Sequence, residues 1–287
     1  MACVIEVNDL IFTYPRAHRP AVRGISFRIE RGQIFGFLGP SGAGKSTVQN
    51  LMIGLLPTQK GSILYDGKTL SDMGKSFFNR VGVSFEHPNL YEKLTGIENL
   101  RYYGGLFDRP VIPPEQLLDM VGLGEAKNKR AGAYSKGMKQ RLVFARAIMN
   151  RPDILFLDEP TSGLDPGTAQ RIKEIILKER DRGATIFLTT HNMFAADELC
   201  DEVAFINEGQ LVAQDSPRNL KLKYGQKAIK VEYRSNGQIK SEILFVERDE
   251  DRHRLGQLLD TGTVETLHSQ EATLEQVFVK LTGRGLS

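Results

Sequence analysis

The sequence predicts an α/β fold with a parallel sheet in its core. Two short apolar runs, at residues 34–38 and 154–157, and a third predicted buried strand at 185–189 are each followed by a helical pattern. Strands that are apolar throughout are covered on both faces, and their alternation with helices is typical of a parallel sheet. The chain has 287 residues, of which 40% are hydrophobic and 25% are charged. This length allows about two globular domains.

Shorter β patterns lie outside this parallel run. Residues 4–7 and 24–29 alternate in hydrophobicity, as half-buried strands do. The other expected β stretches are the surroundings of Ile63, residues 81–85, and a hairpin at 203–206 that turns at Glu208-Gly209. The predicted fold also includes an antiparallel β subdomain beside the parallel core.

A helical insert is predicted from residue 88 to about residue 134. Its helical spacing is interrupted at Gly104-Gly105 and at Pro113-Pro114, because these residues end or break helices. The helices expected elsewhere in the core are residues 46–55, 135–149, 168–182 and 193–199.

The pattern changes after Pro217, where we place a domain boundary. The segment 221–230 is basic, and strand-like stretches follow at 230–234 and 242–246. An amphipathic helix begins near Thr273, and its apolar face consists of Leu274, Val277, Phe278 and Leu281. The sequence thus predicts a first domain of residues 1–216 and a small α+β C-terminal extension of residues 217–287.

Charge and cysteine content argue against several classes of protein. The net charge is only +3, with basic and acidic residues interleaved, so no nucleic-acid partner is expected. Cys3 and Cys200 are expected to be reduced thiols rather than a disulfide framework. The start of the chain is not typical of a signal peptide. No apolar run approaches the about 20 residues of a membrane-spanning helix, so we expect a chain that does not cross a membrane by itself.

A glycine-rich turn between the first buried strand and the next helix fits the pattern Gly-x4-Gly-Lys-Ser/Thr. Glycines let successive main-chain N–H groups point at one phosphate, and the helix N-terminus adds a partial positive charge. Lys45 is predicted to neutralise the β- and γ-phosphates of ATP, and the Ser46 hydroxyl to ligate Mg²⁺. The ATP-binding residues predicted in this turn are Gly39, Pro40, Ser41, Gly42, Ala43, Gly44, Lys45, Ser46 and Thr47. The turn therefore predicts a P-loop NTPase core.

Two carboxylates follow the second buried strand. Acidic side chains at the C-terminal edge of a parallel strand face the crevice where such folds bind their ligands. Asp158 is suited to hold Mg²⁺, and Glu159 to orient or deprotonate the attacking water. Many nucleotide hydrolases share this pair and the glycine-rich turn, so neither feature selects one family.

Residues 134–141, Tyr-Ser-Lys-Gly-Met-Lys-Gln-Arg, narrow the choice. They open a predicted helix with Ser135 at the N-cap. The segment resembles the signature motif of ATP-binding cassette ATPases, usually Leu-Ser-Gly-Gly-Gln/Met-x-Gln-Arg. The resemblance covers residue 1 to about residue 216, and the motifs occur in the family's order. It implies an Mg²⁺-dependent ATPase.

The resemblance also implies roles for residues outside the P-loop. Tyr14 matches the aromatic residue that stacks on adenine, and His191 matches the histidine that contacts the γ-phosphate. Subunits of this family pair head to tail, so Ser135, Gly137 and Asp165 would complete the site of the partner. That partner is a second copy of the chain or a paralogous ATPase subunit. The catalytic set implied is Lys45, Glu159 and His191.

Two positions depart from the family pattern. Glu86 stands where the family has a glutamine that touches Mg²⁺, so it is assigned to the ATP and Mg²⁺ site together with Ser46 and Asp158. A carboxylate remains an oxygen ligand for a hard cation but adds negative charge near the γ-phosphate. We expect a tighter Mg²⁺ dependence. Lys136 replaces a glycine of the signature, and its side chain either meets an anion across the dimer or reaches into solvent.

The C-terminal segment resembles the extension of ATPase subunits from bacterial drug, antibiotic and sodium-ion exporters. With the Ser-Lys-Gly-Met form of the signature, it favours an exporter. The resemblance implies a separate transmembrane permease that docks on the helical subdomain, and a location at the cytoplasmic side of the membrane. A soluble cassette ATPase that acts on nucleic acid or ribosomes remains the alternative, and an unrelated P-loop kinase or GTPase is opposed by the signature and His191.

Overall fold

The computed structural model describes residues 3–235 and 237–283. The residues up to Gln214 form one unit, and those from Asp215 form another. That these units are separate domains with the boundaries 1–216 and 217–287 stays a prediction.

The first unit contains strands from both predicted sheets and the helices that connect them. The strands are β1 (Cys3–Phe12), β2 (Val22–Glu30), β3 (Ile34–Leu38), β4 (Lys60–Tyr65), β5 (Val81–Ser84), β6 (Ile154–Asp158), β7 (Thr185–Thr190), β8 (Glu202–Asn207) and β9 (Gln210–Asp215). The helices are α1 (Lys45–Met52), α2 (Leu70–Met73), α3 (Ser76–Asn79), α4 (Gly96–Gly104), α5 (Pro114–Met120), α6 (Lys136–Ile148), α7 (Pro166–Asp181) and α8 (Met193–Leu199).

A six-stranded sheet forms the centre of this unit, in the order β5-β6-β7-β3-β8-β9. The pairs β5/β6, β6/β7, β3/β7 and β3/β8 are parallel. Every residue of β3, β6 and β7 is buried, as their continuous apolar runs predict. The predicted α/β fold is therefore confirmed. The C-terminal ends of these three neighbouring strands lie at one edge of the sheet, where ligands of parallel α/β folds bind.

A second sheet, in the order β2-β1-β4, is antiparallel and packs over the first. Phe27 of β2 lies in the core between them, with its ring centroid 5.3 Å from that of Phe35 and 6.1 Å from that of Phe187. Aromatic side chains bury a large apolar area and so hold the two sheets together. This core fixes β3 and β7, the strands that lead into the glycine-rich turn and to His191.

Strand β3 also has a close contact on the side of α8. A Cβ atom added to Gly36 would lie 2.7 Å from the Sγ atom of Cys200, and the thiol itself is buried. Burial raises the pKa of the Cys200 thiol. Gly36 therefore leaves the space that the sulfur occupies.

The helical insert contains α4 and α5, which pack against each other and against α6. Helix α4 begins with a capping box: the Thr95 hydroxyl accepts a hydrogen bond from the Glu98 amide, and the Glu98 carboxylate accepts one from the Thr95 amide. The buried Leu100 of α4 and Leu117 of α5 belong to the apolar contact faces. The insert is thus a set of short helices anchored on the helix that follows the signature motif.

The second unit contains a three-stranded antiparallel sheet in the order β11-β10-β12. Its elements are α9 (Pro217–Tyr224), β10 (Ala228–Ser235), β11 (Gln238–Phe245), α10 (Asp249–Asp260), β12 (Val264–Gln270) and α11 (Leu274–Thr282). Helix α11 buries the predicted Leu274, Val277 and Phe278, while Leu281 is only partly buried. Elements α9, α10 and β12 were not predicted from the sequence.

Within residues 3–235 and 237–283, no helix combines the length and the apolar character that a membrane span requires. Helix α7 has 16 residues and carries several charged side chains, whereas a span takes about 20 mostly apolar residues.

Candidate active site

The glycine-rich turn joins β3 to α1, and two of its glycines cannot be replaced without a clash. A Cβ atom on Gly39 would lie 2.2 Å from the main-chain oxygen of Ile206. Gly44 has a φ of 111°, and a Cβ atom there would lie 2.8 Å from the main-chain oxygen of Ala21. These glycines let the turn curve tightly into the N-terminus of α1. Main-chain N–H groups in such a turn form a cradle for an anion.

Lys45 begins α1 and is almost completely buried. Its ammonium group donates hydrogen bonds to carbonyl oxygens of the turn, the nearer being that of Gly39 at 2.7 Å. Burial lowers the pKa of Lys45, and the carboxylates of Glu159, Asp158 and Glu86 oppose this shift. One ammonium group thus lies in the field of three carboxylates, and this excess of negative charge suits a divalent cation.

Asp158 ends β6 and faces the first turn of α1. One carboxylate oxygen accepts a hydrogen bond from the Ser46 hydroxyl at 3.1 Å, and the other accepts one from the Thr189 hydroxyl. Burial raises the pKa of Asp158, which means that its negative charge is poorly solvated. No group of three or more His, Cys, Asp or Glu side chains in the described residues could hold a metal. A hydroxyl beside one carboxylate fits Mg²⁺ that is bound jointly with phosphate oxygens.

Glu159 has a φ of 49°, in the left-handed region that residues other than glycine rarely adopt. Its carboxylate accepts hydrogen bonds from the Thr190 hydroxyl at 2.9 Å and from the His191 main-chain amide at 2.8 Å. The His191 ring nitrogen Nδ1 lies 2.6 Å from the same carboxylate. These contacts hold the Glu159 carboxylate in one orientation at the edge of the sheet, beside Asp158, as a general base requires.

Tyr14 lies beside the first turn of α1. Its hydroxyl is 3.1 Å from that of Thr47, and its ring packs edge-on against Phe12 with the centroids 4.9 Å apart. The side chain is 40% exposed. An aromatic ring fixed in this way next to the P-loop has a surface available for a base.

Glu86 follows β5, the strand beside β6, and is exposed. Its charge acts on both Lys45 and Asp158. The Gln140 side-chain amide of α6 donates a long hydrogen bond of 3.5 Å to the main-chain oxygen of Phe85. The structure therefore brings Glu86 to the same edge of the sheet as Asp158.

The signature residues lie elsewhere on the unit, against the loop that precedes α7. The Ser135 hydroxyl caps α6 by accepting a hydrogen bond from the Met138 amide at 3.2 Å, and Asp165 caps α7. A Cβ atom on Gly137 would lie 3.3 Å from a methyl carbon of Leu164. In the described part of the chain, no hydrogen bond joins these residues to the P-loop. Ser135, Gly137 and Asp165 thus form a second group, separate from the first.

Lys136 lies in this second group and is exposed. Its stem passes over Gly163: a Cβ atom there would lie 3.7 Å from Cε and 3.8 Å from Nζ of Lys136. Among the residues that the structure describes, no carboxylate forms an ion pair with it. This placement agrees with a side chain that extends along the surface.

Thr189 and Thr190 were not identified from the sequence, although they bind the two site carboxylates. Both are buried at the end of β7. The available signal was the pair of adjacent hydroxyl side chains at the C-terminal end of this buried strand, because a buried hydroxyl needs a hydrogen-bond partner. The sequence pattern by itself assigns both threonines to a buried strand and to no site.

Comparison with known proteins identifies the family. Residues 22–162 match the family described as ABC transporter. The chain is 50% identical over 285 residues to a fluoroquinolones export ATP-binding protein of Mycobacterium tuberculosis, and the match covers 99% of this chain and 95% of the relative. It is 36% identical over 283 residues to Nod factor export ATP-binding protein I of Burkholderia thailandensis, with 92% of each chain covered.

Solved structures agree with this assignment. An ATP-binding subunit of an ABC transporter superposes with a TM-score of 0.70 at 28% identity, over 77% of this chain and 93% of that one. An ATP-binding cassette solved as a dimer with ADP and Pi has the same fold, with a TM-score of 0.66 at 23% identity over 74% and 98% of the two chains. The chain belongs to the ABC transporter family, as one of its ATP-binding, ATP-hydrolysing subunits.

Proposed function

We propose that the chain uses hydrolysis of ATP to drive export through a separate permease. The permease docks on the helical subdomain, at residues 88–134. The chain pairs head to tail with a second copy or with a paralogous ATPase subunit, at the cytoplasmic side of the membrane. The named functions of the M. tuberculosis and B. thailandensis relatives, both of them export, support this direction of transport.

The observation that carries the proposal is the fixed carboxylate of Glu159. This carboxylate lies beside Asp158 at the edge of the sheet and is held by hydrogen bonds from Thr190 and His191. The Glu159 backbone adopts the left-handed conformation. A carboxylate oriented in this way can take a proton from water that attacks the γ-phosphate. His191, which binds the same carboxylate, would orient the base and contact the γ-phosphate.

The P-loop and the neighbouring acids account for binding. The main-chain amides of the turn and Lys45 receive the phosphates of ATP, while the Tyr14 ring receives adenine. Mg²⁺ would be held by Ser46, Asp158 and Glu86. When it is bound, it neutralises negative charge on the phosphates. The hydrogen bond of 3.1 Å between Ser46 and Asp158 already places two of these oxygen donors together.

The second group of residues would complete the site of the partner subunit. Ser135 and Gly137 lie at the N-terminus of α6, where the helix dipole favours an anion. Asp165 lies in the adjacent loop. Their separation from the P-loop of the same chain supports a role in trans, because the two groups can form one site only across a dimer.

For the substrate we propose small amphipathic aromatic molecules of the fluoroquinolone type. The support is the M. tuberculosis relative, whose identity of 50% extends over almost the whole of both chains. The alternative of a soluble cassette ATPase that acts on nucleic acid or ribosomes finds no support in the names of these relatives.

Export from cells that contain the chain and its permease tests the proposal. Cells that contain the permease and the wild-type chain should accumulate less fluoroquinolone than cells that contain the permease and the Glu159→Gln chain. In the purified complex, this substitution should lower ATP turnover by about 10²- to 10⁴-fold, the usual contribution of a general base, while ATP binding persists.

Glu265→Gln is the control, because Glu265 is an exposed glutamate of β12 in the second unit, where it pairs with Arg234 and belongs to neither group of site residues. Equal turnover in the wild type and Glu159→Gln would contradict the role of Glu159. If cells with the wild-type chain and cells with Glu159→Gln accumulate equal amounts of the drug, although the wild-type complex hydrolyses ATP normally, the proposed substrate is contradicted.

A further inference from the structure

The second unit contains a cavity that the ATPase chemistry does not use. Its volume is about 500 Å³, a size typical of sites that hold drug-sized molecules. The cavity lies between the C-terminal end of α9, the sheet of β10, β11 and β12, and helix α11, and all of its lining residues belong to the second unit. We call it the C-terminal cavity.

The floor of the C-terminal cavity is one face of the three-stranded sheet. Residues that pair directly across antiparallel strands point to the same face. Ile229 pairs with Leu244, and their face carries the apolar core beneath α10. Ala228 pairs with Phe245 and Gln270 on the other face, and all three line the cavity. The sheet is therefore covered by α10 on one face, while the other face forms the open floor.

One wall of the cavity is a close contact between the end of α9 and the start of the segment that carries α11. Gly225 follows α9, and a Cβ atom on it would lie 2.5 Å from the Cβ atom of Ala272 and 2.2 Å from the main-chain oxygen of Lys221. Only glycine permits this approach. The wall is thus fixed by backbone packing rather than by mobile side chains.

Large apolar side chains line the cavity and remain partly open to solvent. Val279 of α11 is 40% exposed, and Ile243 of β11 is 49% exposed. The Phe245 ring also lines the cavity, and its position is supported by the Arg248 guanidinium, which lies 4.4 Å from the ring centroid. Exposed apolar side chains that meet in a concave site are typical of a ligand-binding surface.

Exposed charged side chains of both signs line the same cavity. Glu271 pairs with Lys221 at 3.9 Å. Glu275 and Lys280 of α11 are exposed, and in the part of the chain that the structure describes neither of them forms an ion pair. One acid and one base without partners, beside apolar walls, are complementary to a ligand that carries both a positive and a negative charge on an apolar body.

We propose that the C-terminal cavity binds a small aromatic molecule that carries both an amine and a carboxylate. The rings pack among Phe245, Ile243 and Val279, the ammonium group meets Glu275, and the carboxylate meets Lys280. Fluoroquinolones with a basic amine have this chemistry, and this choice of drug class rests on the proposed function. The ATPase subunit thereby holds a binding site of its own for the exported molecule, in addition to the site for ATP.

Binding of a fluorescent fluoroquinolone to the purified full chain, without permease or nucleotide, tests this inference. Val279→Trp places an indole in the space of the ligand and should weaken binding by about tenfold or more. Leu259→Trp is the matched control, because Leu259 is 49% exposed on α10, at the other face of the sheet. We expect the control to bind the drug like the wild type, as measured by fluorescence anisotropy.

A second comparison tests the charges. Glu275→Gln should weaken binding of the fluoroquinolone by about two- to fivefold, the usual contribution of an exposed ion pair. It should not change binding of a quinolone carboxylic acid that lacks the basic amine. Lys280→Gln should weaken binding of both molecules. Thermal unfolding and ATP binding show whether each variant is folded, and both should stay at the wild-type level.

The outcomes separate this inference from the proposed function. Equal affinity of the wild type, Val279→Trp and Glu275→Gln for the drug overturns the inference. If the isolated chain does not bind the drug although the complex with the permease exports it, the inference fails and the proposed function stands. If the chain binds the drug as expected but the complex exports none, the proposed function fails and the cavity remains a site for this class of molecule.

Light scattering covers the remaining occupant of such a cavity, a segment of a second copy of the chain. If Val279→Trp changes the oligomeric state while its affinity for the drug stays at the wild-type level, the cavity is a contact between chains, and the inference is overturned.

Discussion

The two groups of site residues in the first unit differ in how they are held. Lys45, Asp158 and Glu159 are all buried and joined by hydrogen bonds to the turn and to β7. Ser135 and Asp165 are exposed, and each caps only the helix that it precedes. The first group has a fixed geometry before any partner arrives, whereas the second forms a free surface.

The two groups of site residues in one chain therefore differ in what they need from a partner. The buried group of charged residues is held in place by hydrogen bonds within one chain. The attraction between an exposed helix N-terminus and an anion becomes strong only where water is excluded from the contact. One chain therefore carries a prepared half-site and a complementary surface, and closure of a dimer would join them. The following experiments test this comparison.

Mixing two inactive variants should give the largest effect. Lys45→Ala removes the cation that we propose to bind phosphate, and Ser135→Ala removes the hydroxyl that we propose to act in trans. Each variant alone should therefore lose about 10²-fold or more of its ATP turnover. In a mixed dimer one composite site would contain both defects, and the other would be intact. We therefore expect activity to return when the purified variants are mixed.

The control mixes Lys45→Ala with Glu159→Gln, which both lie in the first group. Every composite site of that mixture contains a defective first group, so it should stay inactive. If the first mixture also stays inactive although light scattering shows mixed dimers, the two groups do not cooperate in trans.

Glu86→Gln should change the metal requirement. Glu86 is the third carboxylate whose charge acts on Lys45. Replacing it with glutamine removes one negative charge, and therefore part of the repulsion that metal-free ATP meets at the site. We expect the Mg²⁺ concentration needed for half-maximal ATP binding to change by roughly tenfold, as a unit charge at short range in a protein allows. A fluorescent ATP analogue measures this directly. An unchanged Mg²⁺ titration and an unchanged turnover would show that Glu86 is not part of the metal site.

Asp158→Asn should stabilise the fold at neutral pH. The raised pKa means that the folded protein holds a proton more tightly than the unfolded chain does. The ordinary pKa of an aspartate is about 4. The free energy of unfolding therefore falls as the pH rises from about 4 through the raised pKa of Asp158. Removing the ionisable group should add about 1 kcal/mol at pH 7.5, and the gain should shrink towards pH 4. Thermal unfolding at both pH values measures it, and a gain that does not depend on pH would contradict the prediction.

Lys136→Gln should have the smallest effect. The exposed side chain runs over Gly163 without a carboxylate partner among the described residues, and a cation at a helix N-terminus is unfavourable by about 0.3–1 kcal/mol. We expect stability to rise slightly and turnover to change by less than about threefold. A loss of turnover as large as that of Ser135→Ala would instead place Lys136 on the γ-phosphate of the partner.

The sequence predicted the first unit better than the second, for a physical reason. Strands β3, β6 and β7 are buried on both faces, so their apolar runs stand out. Helix α10 buries only Leu258, and β12 has no fully buried residue. Elements with so little buried surface leave a weak hydrophobic pattern, and tertiary contacts decide their structure. The polar α9 and α10 and the strand β12 were missed for this reason.

For the candidate site, motifs located residues but could not show their contacts. The P-loop residues, Asp158 and His191 follow from position in a strand–helix pattern. The hydrogen bonds of Thr189 and Thr190 depend on how β6 and β7 pair, and the contact of Gly137 with Leu164 depends on tertiary packing. Short motifs carry no information about register or packing. The roles assigned to the site residues stay predictions.

The contact between Gly36 and Cys200 links two positions that are far apart in the sequence. The sulfur occupies the space that a side chain at position 36 would need, and β3 carries the P-loop at its end. During evolution a larger residue at position 36 should therefore be accompanied by a smaller one at position 200, and also at position 203, where Val203 Cγ1 would lie 2.9 Å from a Cβ atom on Gly36. A side chain larger than cysteine at position 200 would press on β3, the strand that carries the P-loop at its end.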